Sequence, residues 1–338
     1  MKNIVVFGAT GQLGAYCVRE MSRQGYHVFA VGRRTDDNGF FASLGAEFIG
    51  GILLENDICF QKLPTENICA VVNMAGAMPA HSGISTIPYL QSITIGMANV
   101  CEWMRKAGIQ RIIYNTTPSD IVQHFGKALP IPEDALRSFP QDGGDHAVYA
   151  IAKNSAVDLL TYYRQAHGFE PCVFRHMTVY GWHPDAYFYS NGIRKILPYR
   201  HIIRRCLAGD SVEVWGDPER KKELLYIKDF ASAVSSALKS HACGLFNLPG
   251  IRPYTLEEQI DGFIESFSPP GKKSKKVYCP EKPDTPQNLL LPGGAHSHLG
   301  WTPKWEWLEA CRDMKDEMSK NPFERLWGRP EKEDIVNG

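Results

Sequence analysis

A chain that opens MKNIVVFGATGQLG has few folds open to it. Residues 4–7 form a short apolar, β-branched run suited to a buried parallel strand, and Gly8, Gly11 and Gly14 follow at three-residue spacing. A strand therefore feeds a tight glycine turn, and an amphipathic helix over residues 13–24 comes next. A side chain at Gly8 or Gly11 would hold the backbone away from a pyrophosphate, while Gly14 lets the helix lie close against the strand. The N–H groups at the start of that helix then face phosphate. Gly8, Thr10, Gly11, Gln12, Leu13 and Gly14 are the first candidate cofactor-binding residues.

Further strands are expected at residues 27–31, 47–51, 70–74 and 111–114. Helical spacing over residues 90–107 ends in Lys106-Ala107-Gly108, a basic last turn with a glycine stop. Strands alternating with helices in this way make an α/β fold with a doubly wound parallel sheet, Rossmann-type. The second strand ends at Gly32-Arg33-Arg34, where a fold that prefers NAD offers an acidic side chain to the ribose 2′-hydroxyl. A guanidinium fork pairs instead with a 2′-phosphate, so Arg33 and Arg34 favour NADP, with NAD as the alternative. Asp36 and Asp37, just beyond, pull the other way. The fourth strand runs into Met74-Ala75-Gly76, small residues that let backbone line a cofactor face.

Tyr149 and Lys153 stand four residues apart on a helix, so phenol and ammonium share one face. The positive charge favours the phenolate and turns a poor base into a usable one. Hydroxyls at Thr116 and Thr117 follow the fifth strand. Together with the glycine turn, these residues form a candidate catalytic set.

Composition narrows the partners. Lys+Arg and Asp+Glu cancel at 37 each, which leaves no global field to recruit nucleic acid or an anionic membrane. The one basic run, residues 272–276, reads as a solvated loop. No apolar run reaches transmembrane length and no signal sequence precedes the first strand, so a cytoplasmic location is expected. Nine cysteines are scattered without metal-ligand spacing, and His296-Ser297-His298 has no carboxylate or thiolate cluster beside it; no metal site is expected.

These residues carry a resemblance. The chain resembles an extended short-chain dehydrogenase/reductase of the NAD-dependent epimerase/dehydratase family over nearly its whole length. GATGQLG matches the glycine turn, and residues 96–114 match the fourth helix and fifth strand. Thr117 falls where the family keeps a catalytic Ser or Thr, and Tyr149 with Lys153 match its Tyr-x-x-x-Lys pair. Phe174-Arg175 with Val179-Tyr180-Gly181, residues 215–230, residues 246–256 and Leu299-Gly300-Trp301-Thr302-Pro303 follow in the family's order. Three positions depart from the pattern. Gly51 replaces the Asp that meets adenine, and Thr178 replaces an Asn that holds a substrate diphosphate. Lys222 replaces a diphosphate Arg, keeping the charge without the fork.

The resemblance implies a dinucleotide-binding domain over residues 1–175, with 215–250 crossing back into it. Residues 176–214 and 251–330 form a smaller C-terminal substrate-binding lobe. His81, Thr116, Thr178 and Lys222 are the candidate substrate-binding residues, and Trp182, His183, Tyr187 and Tyr189 are candidates to shape a sugar pocket. The implied partner is a nucleotide-diphosphate sugar, and a homodimer through the helices at 90–107 and 149–166 is expected. Three functions follow from the same residues. The first is an epimerase, with Tyr149 taking a proton from a sugar hydroxyl, Thr117 bonding the same oxygen, Lys153 on the nicotinamide ribose, and the hydride returned to the other face. The second is an NADPH-dependent keto-sugar reductase that stops after one hydride transfer. The third is a non-catalytic nucleotide sensor, against which stands the presence of both Tyr149 and Lys153. A dehydratase is disfavoured because Thr117 is followed by Pro118-Ser119 rather than Asp-Glu.

Overall fold

The computed structural model describes residues 2–78, 85–127, 130–141, 145–190, 193–284 and 295–330. Seven parallel strands form its centre: β1 (Asn3–Phe7), β2 (His27–Val31), β3 (Glu47–Ile49), β4 (Ile68–Asn73), β5 (Arg111–Asn115), β6 (Glu170–Arg175) and the strand Gly244–Asn247. Their order, from Gly244–Asn247 through β6, β5, β4, β1 and β2 to β3, reverses direction at β1. A crevice outside the carboxyl ends of the strands is the expected ligand site at such a switch point. The β-branched run Ile4–Val6 is fully buried because helices cover both sheet faces, which is why it lacks polar alternation.

Helix α1 (Gln12–Arg23) and the helix Ile227–Lys239 cover one face; the helices Gly96–Ala107 and Asp145–His167 cover the other. The helix expected over 90–107 is α-helical only from Gly96, because Leu90–Ile95 winds as a wider π-helical turn. β3 ends two residues sooner than expected, since Gly51 takes φ +72° and its N–H returns to the Arg34 carbonyl at 2.9 Å.

Beyond the sheet, Val212–Trp215 pairs in parallel with Lys276–Cys279, and the helices Pro198–Ala208 and Leu256–Phe267 pack beside them. Thr255 and Glu258 close a capping box at the start of Leu256–Phe267. The basic run at 272–276 is partly neutralised by that helix: Lys276 pairs with Glu257 at 2.6 Å and Asp261 at 2.8 Å, and Lys273 pairs with Glu265. No helix among the described residues is long and apolar enough to cross a membrane.

Candidate active site

The glycine turn is built by close approach. A Cβ on Gly8 would sit 2.7 Å from the Ala75 nitrogen and one on Gly14 only 2.1 Å from the Gly8 carbonyl, so both positions exclude a side chain. Gly8 also needs its φ of +73°, which costs glycine little. This packing draws the turn against Met74-Ala75-Gly76 at the end of β4, where the Met74 N–H reaches the Phe7 carbonyl at 3.0 Å. Gly11 caps α1, and no side chain bonds the first turn of that helix. Gln12 turns its amide toward the Trp182 carbonyl at 3.4 Å, and Leu13 packs against the core.

The Tyr149 and Lys153 side chains come from Asp145–His167 and meet the carboxyl end of β5. Lys153, 3 % exposed, donates to the Asn115 carbonyl at 2.8 Å and lies over the rings of Tyr114 at 4.5 Å and Tyr149 at 5.8 Å. The Tyr149 hydroxyl points at Met78 Sδ, 3.5 Å away, just past the β4 glycine. Thr117, also buried, accepts from the Ser119 N–H at 3.1 Å and starts the 3-10 turn Pro118–His124. Thr116 donates its backbone N–H to Phe174 at 2.8 Å.

The electrostatics differ from the simple picture of an ammonium lowering a phenol. Burial pushes the Tyr149 phenol up, with Tyr89 adding to the rise, and burial pushes Lys153 down to about 7. Desolvation penalises both charged forms, and at this separation the attraction does not overcome it.

A buried network behind the site was not anticipated. Arg175 at the end of β6 binds Asp120 through two parallel 3.0 Å bonds, both side chains being fully inaccessible. The same guanidinium reaches the Glu133 carbonyl at 3.3 Å, and Glu133 accepts the Asn247 N–H at 2.9 Å. Asp120 stands three residues after Thr117, so the network ties the hydroxyl-bearing turn to β6 and to Gly244–Asn247. The sequence signal was an Arg closing an apolar strand and an Asp in a mixed turn, legible only once the segments are adjacent. His176 was also missed. Its ring packs on Phe230 at 5.1 Å and burial lowers its pKa to about 4.

The remaining candidates spread out. Arg33 and Arg34 are exposed at the end of β2, and Arg34 donates to the Leu326 carbonyl. Asp37 turns away to cap Phe40–Ser43, accepting from the Phe41 N–H at 2.7 Å. A Cβ on Gly32 would meet the Thr10 methyl at 2.9 Å. The Thr10 carbonyl accepts from Trp327 Nε1 at 2.8 Å, and the Trp327 ring stacks on Phe323 and meets the His183 ring at a tilt. Trp182 is likewise engaged with this C-terminal segment, donating to Asn321 Oδ1 at 3.2 Å. Thr178 is exposed just before the short strand Val179–Tyr180, and Lys222 lies over the Tyr180 ring at 5.6 Å. His81 lies outside the described residues.

The chain as a whole is similar to known proteins. The model of the NAD dependent epimerase/dehydratase family matches residues 4–248. UDP-glucose 4-epimerase of Lactobacillus helveticus is 20% identical over 316 residues, covering 90% of this chain and 92% of that protein. UDP-glucose 4-epimerase of Thermotoga maritima, solved with UDP-glucose, has a TM-score of 0.75 at 23% identity, covering 94% of this chain and 99% of that one. UDP-glucuronic acid 4-epimerase of Bacillus cereus, solved in complex with NAD, has a TM-score of 0.71 at 17% identity, covering 95% of this chain and 99% of that one.

Proposed function

This chain belongs to the NAD dependent epimerase/dehydratase family, and we propose that it epimerises a nucleotide-linked sugar with a nicotinamide dinucleotide as cofactor. What supports this reading is the seating of the buried Lys153, one helical turn from Tyr149, on the Asn115 carbonyl at the end of β5, two residues before Thr117, together with a glycine turn whose Gly8 and Gly14 exclude side chains. The cradle suits a diphosphate, because Gly8, Gly11 and Gly14 bare the backbone and the start of α1 has no side-chain cap. Gly8, Thr10, Gly11, Gln12, Leu13, Gly14, Met74, Ala75 and Gly76 would hold the dinucleotide, and Lys153 its nicotinamide ribose.

When bound, the nicotinamide supplies a site that accepts a hydride and gives it back. The chain's own part is proton handling. Tyr149 as phenolate removes the proton of the sugar hydroxyl and returns it at the end of the cycle. Thr117 bonds the same oxygen, and the Lys153 ammonium stabilises the phenolate once a ribose and a sugar complete the site. Thr116, Thr178 and Lys222 would face the nucleotide-sugar, with residues 176–214 and 251–330 forming its side of the crevice. NAD is the cofactor we favour, since Arg34 is engaged by Leu326 and the Bacillus cereus relative was solved with NAD. Ile95, Ile151 and Tyr162, apolar and exposed beside the helices covering the second sheet face, support a homodimer there.

The test is to incubate the protein with UDP-glucose, UDP-N-acetylglucosamine and UDP-glucuronic acid and follow the C4 epimers by proton NMR. Nucleotide released on denaturation identifies the cofactor. Product without net change in reduced-nicotinamide absorbance is expected. Stoichiometric loss of NADPH absorbance with a 4-keto-sugar nucleotide as substrate, and no epimer from the three hydroxylated sugars, would instead establish a keto-sugar reductase, a second reading favoured by Arg33, exposed where a 2′-phosphate would lie.

A further inference from the structure

Four buried side-chain atoms near the carboxyl ends of β5 and β6 have no hydrogen-bond partner among the described residues: Tyr114 Oη, Asn115 Oδ1, Thr116 Oγ1 and His176 Nε2. Buried polar atoms are nearly always satisfied, so four together call for a ligand or another physical cause. Two of them are placed alike. Asn115 pairs in register with Phe174, and His176 follows Phe174 by two residues, so strand alternation puts both side chains on one sheet face. The packing of His176 on Phe230 identifies it as the face covered by Ile227–Lys239. Tyr149 belongs to the core on the opposite face.

The hydrogen bonds also fix what His176 presents. Its Nδ1 lies 2.8 Å from the Met177 carbonyl, which can only accept, so Nδ1 carries the proton and Nε2 the lone pair. Burial first, and then the Lys153 charge, keep this ring neutral. Asn115 Oδ1 and His176 Nε2 are thus two acceptors on one face, without a hydrogen of their own.

We infer that Asn115 and His176 receive the two N–H groups of the nicotinamide carboxamide and so fix which face of the ring meets the sugar. This rests on the nicotinamide reading above. A primary amide carries two N–H bonds on one atom, whereas a sugar hydroxyl carries one and would leave an acceptor unmatched. Tyr149 then works from one sheet face while the carboxamide is held from the other.

The experiment is isothermal titration of the full chain, stripped of nucleotide, with NAD and with 3-acetylpyridine adenine dinucleotide, in which a methyl replaces the amide nitrogen. NAD is expected to bind on the order of tenfold more tightly, because the analogue leaves both acceptors unpaired. His176→Phe and Asn115→Ala should each weaken NAD while leaving the analogue's affinity near wild type, which also shows that the variants are folded. His176→Gln, which keeps an acceptor, should recover part of the preference. Equal affinity of the wild type for the two dinucleotides, or an unchanged preference in His176→Phe, overturns the assignment alone. If neither dinucleotide binds, the nicotinamide reading fails and the assignment falls with it.

Discussion

The two ends of the crevice are built on different principles. At the β5 end, Tyr149, Lys153 and Thr117 are buried, come from the helix Asp145–His167 and the end of β5, and are held by short-range geometry such as the 2.8 Å bond from Lys153 to Asn115. At the β2 end, Arg33 and Arg34 are exposed, and the turn is roofed by Leu326 and Trp327 from the far end of the chain. On the proposed function, one end would set reactivity by excluding water and the other would set occupancy through a remote segment. A change at the first should therefore appear in turnover, and a change at the second in affinity.

The largest expected effect tests the dry end. Tyr149→Phe should lower turnover on the proposed nucleotide-sugar by about a hundred- to ten-thousand-fold while leaving dinucleotide affinity nearly unchanged. Single-turnover kinetics check this, and a variant with full turnover would place the acid–base group elsewhere.

Next comes the network behind Thr117. Arg175→Met would strand Asp120 without its partner, and urea unfolding should show a loss of about 3 to 5 kcal/mol. A loss below about 1 kcal/mol would mean that Asp120 is held neutral there. Burial does raise its pKa even beside the guanidinium.

A somewhat smaller effect concerns pH. His176 falls from 6.5 in the free side chain to about 4 in the fold, because burial opposes its charged form and Lys153 repels it. Between those values the unfolded chain holds a proton that the native one lacks, so stability rises with pH through this window. The destabilisation is fully present below pH 4 and gone above 6.5, amounting to about 3 kcal/mol at 1.36 kcal/mol per unit. Urea unfolding from pH 4 to 7 should show that slope in the wild type and a flatter one in His176→Phe.

The smallest effect belongs to the roofed end. Trp327→Ala removes one hydrogen bond and one stacked ring, about 1 to 2 kcal/mol. It should weaken dinucleotide binding several-fold without altering the turnover of the saturated enzyme. A fall in turnover at saturating cofactor would erase the contrast between the two ends.

What could be read beforehand follows the same divide. β2 is found at residues 27–31 as its β-branched run indicates, and the Tyr149–Lys153 pair meets the sheet as four-residue helical spacing requires. Those features are local. The π-helical turn at Leu90–Ile95 leaves no mark in hydrophobic spacing, and the partners of Asp120 and Arg175 are 55 residues apart. Arg34 read as a free fork because the carbonyl it meets belongs to Leu326, 292 residues later. His176 carried no signal at all, since its meaning depends on which nitrogen is left bare.

The contact of Trp327 with Thr10 joins positions 317 apart, so the glycine turn, though made earlier in synthesis, is finished only after that distant segment has been made. Closing so long a span costs little more entropy than closing a shorter one, since that cost grows only logarithmically, but it delays the contact. The corner formed by Asn115, Tyr149 and Lys153 can therefore be in place before the segment that covers the glycine turn. On the proposed function, a chain broken off before residue 327 would keep the proton-handling residues without a secure hold on the dinucleotide.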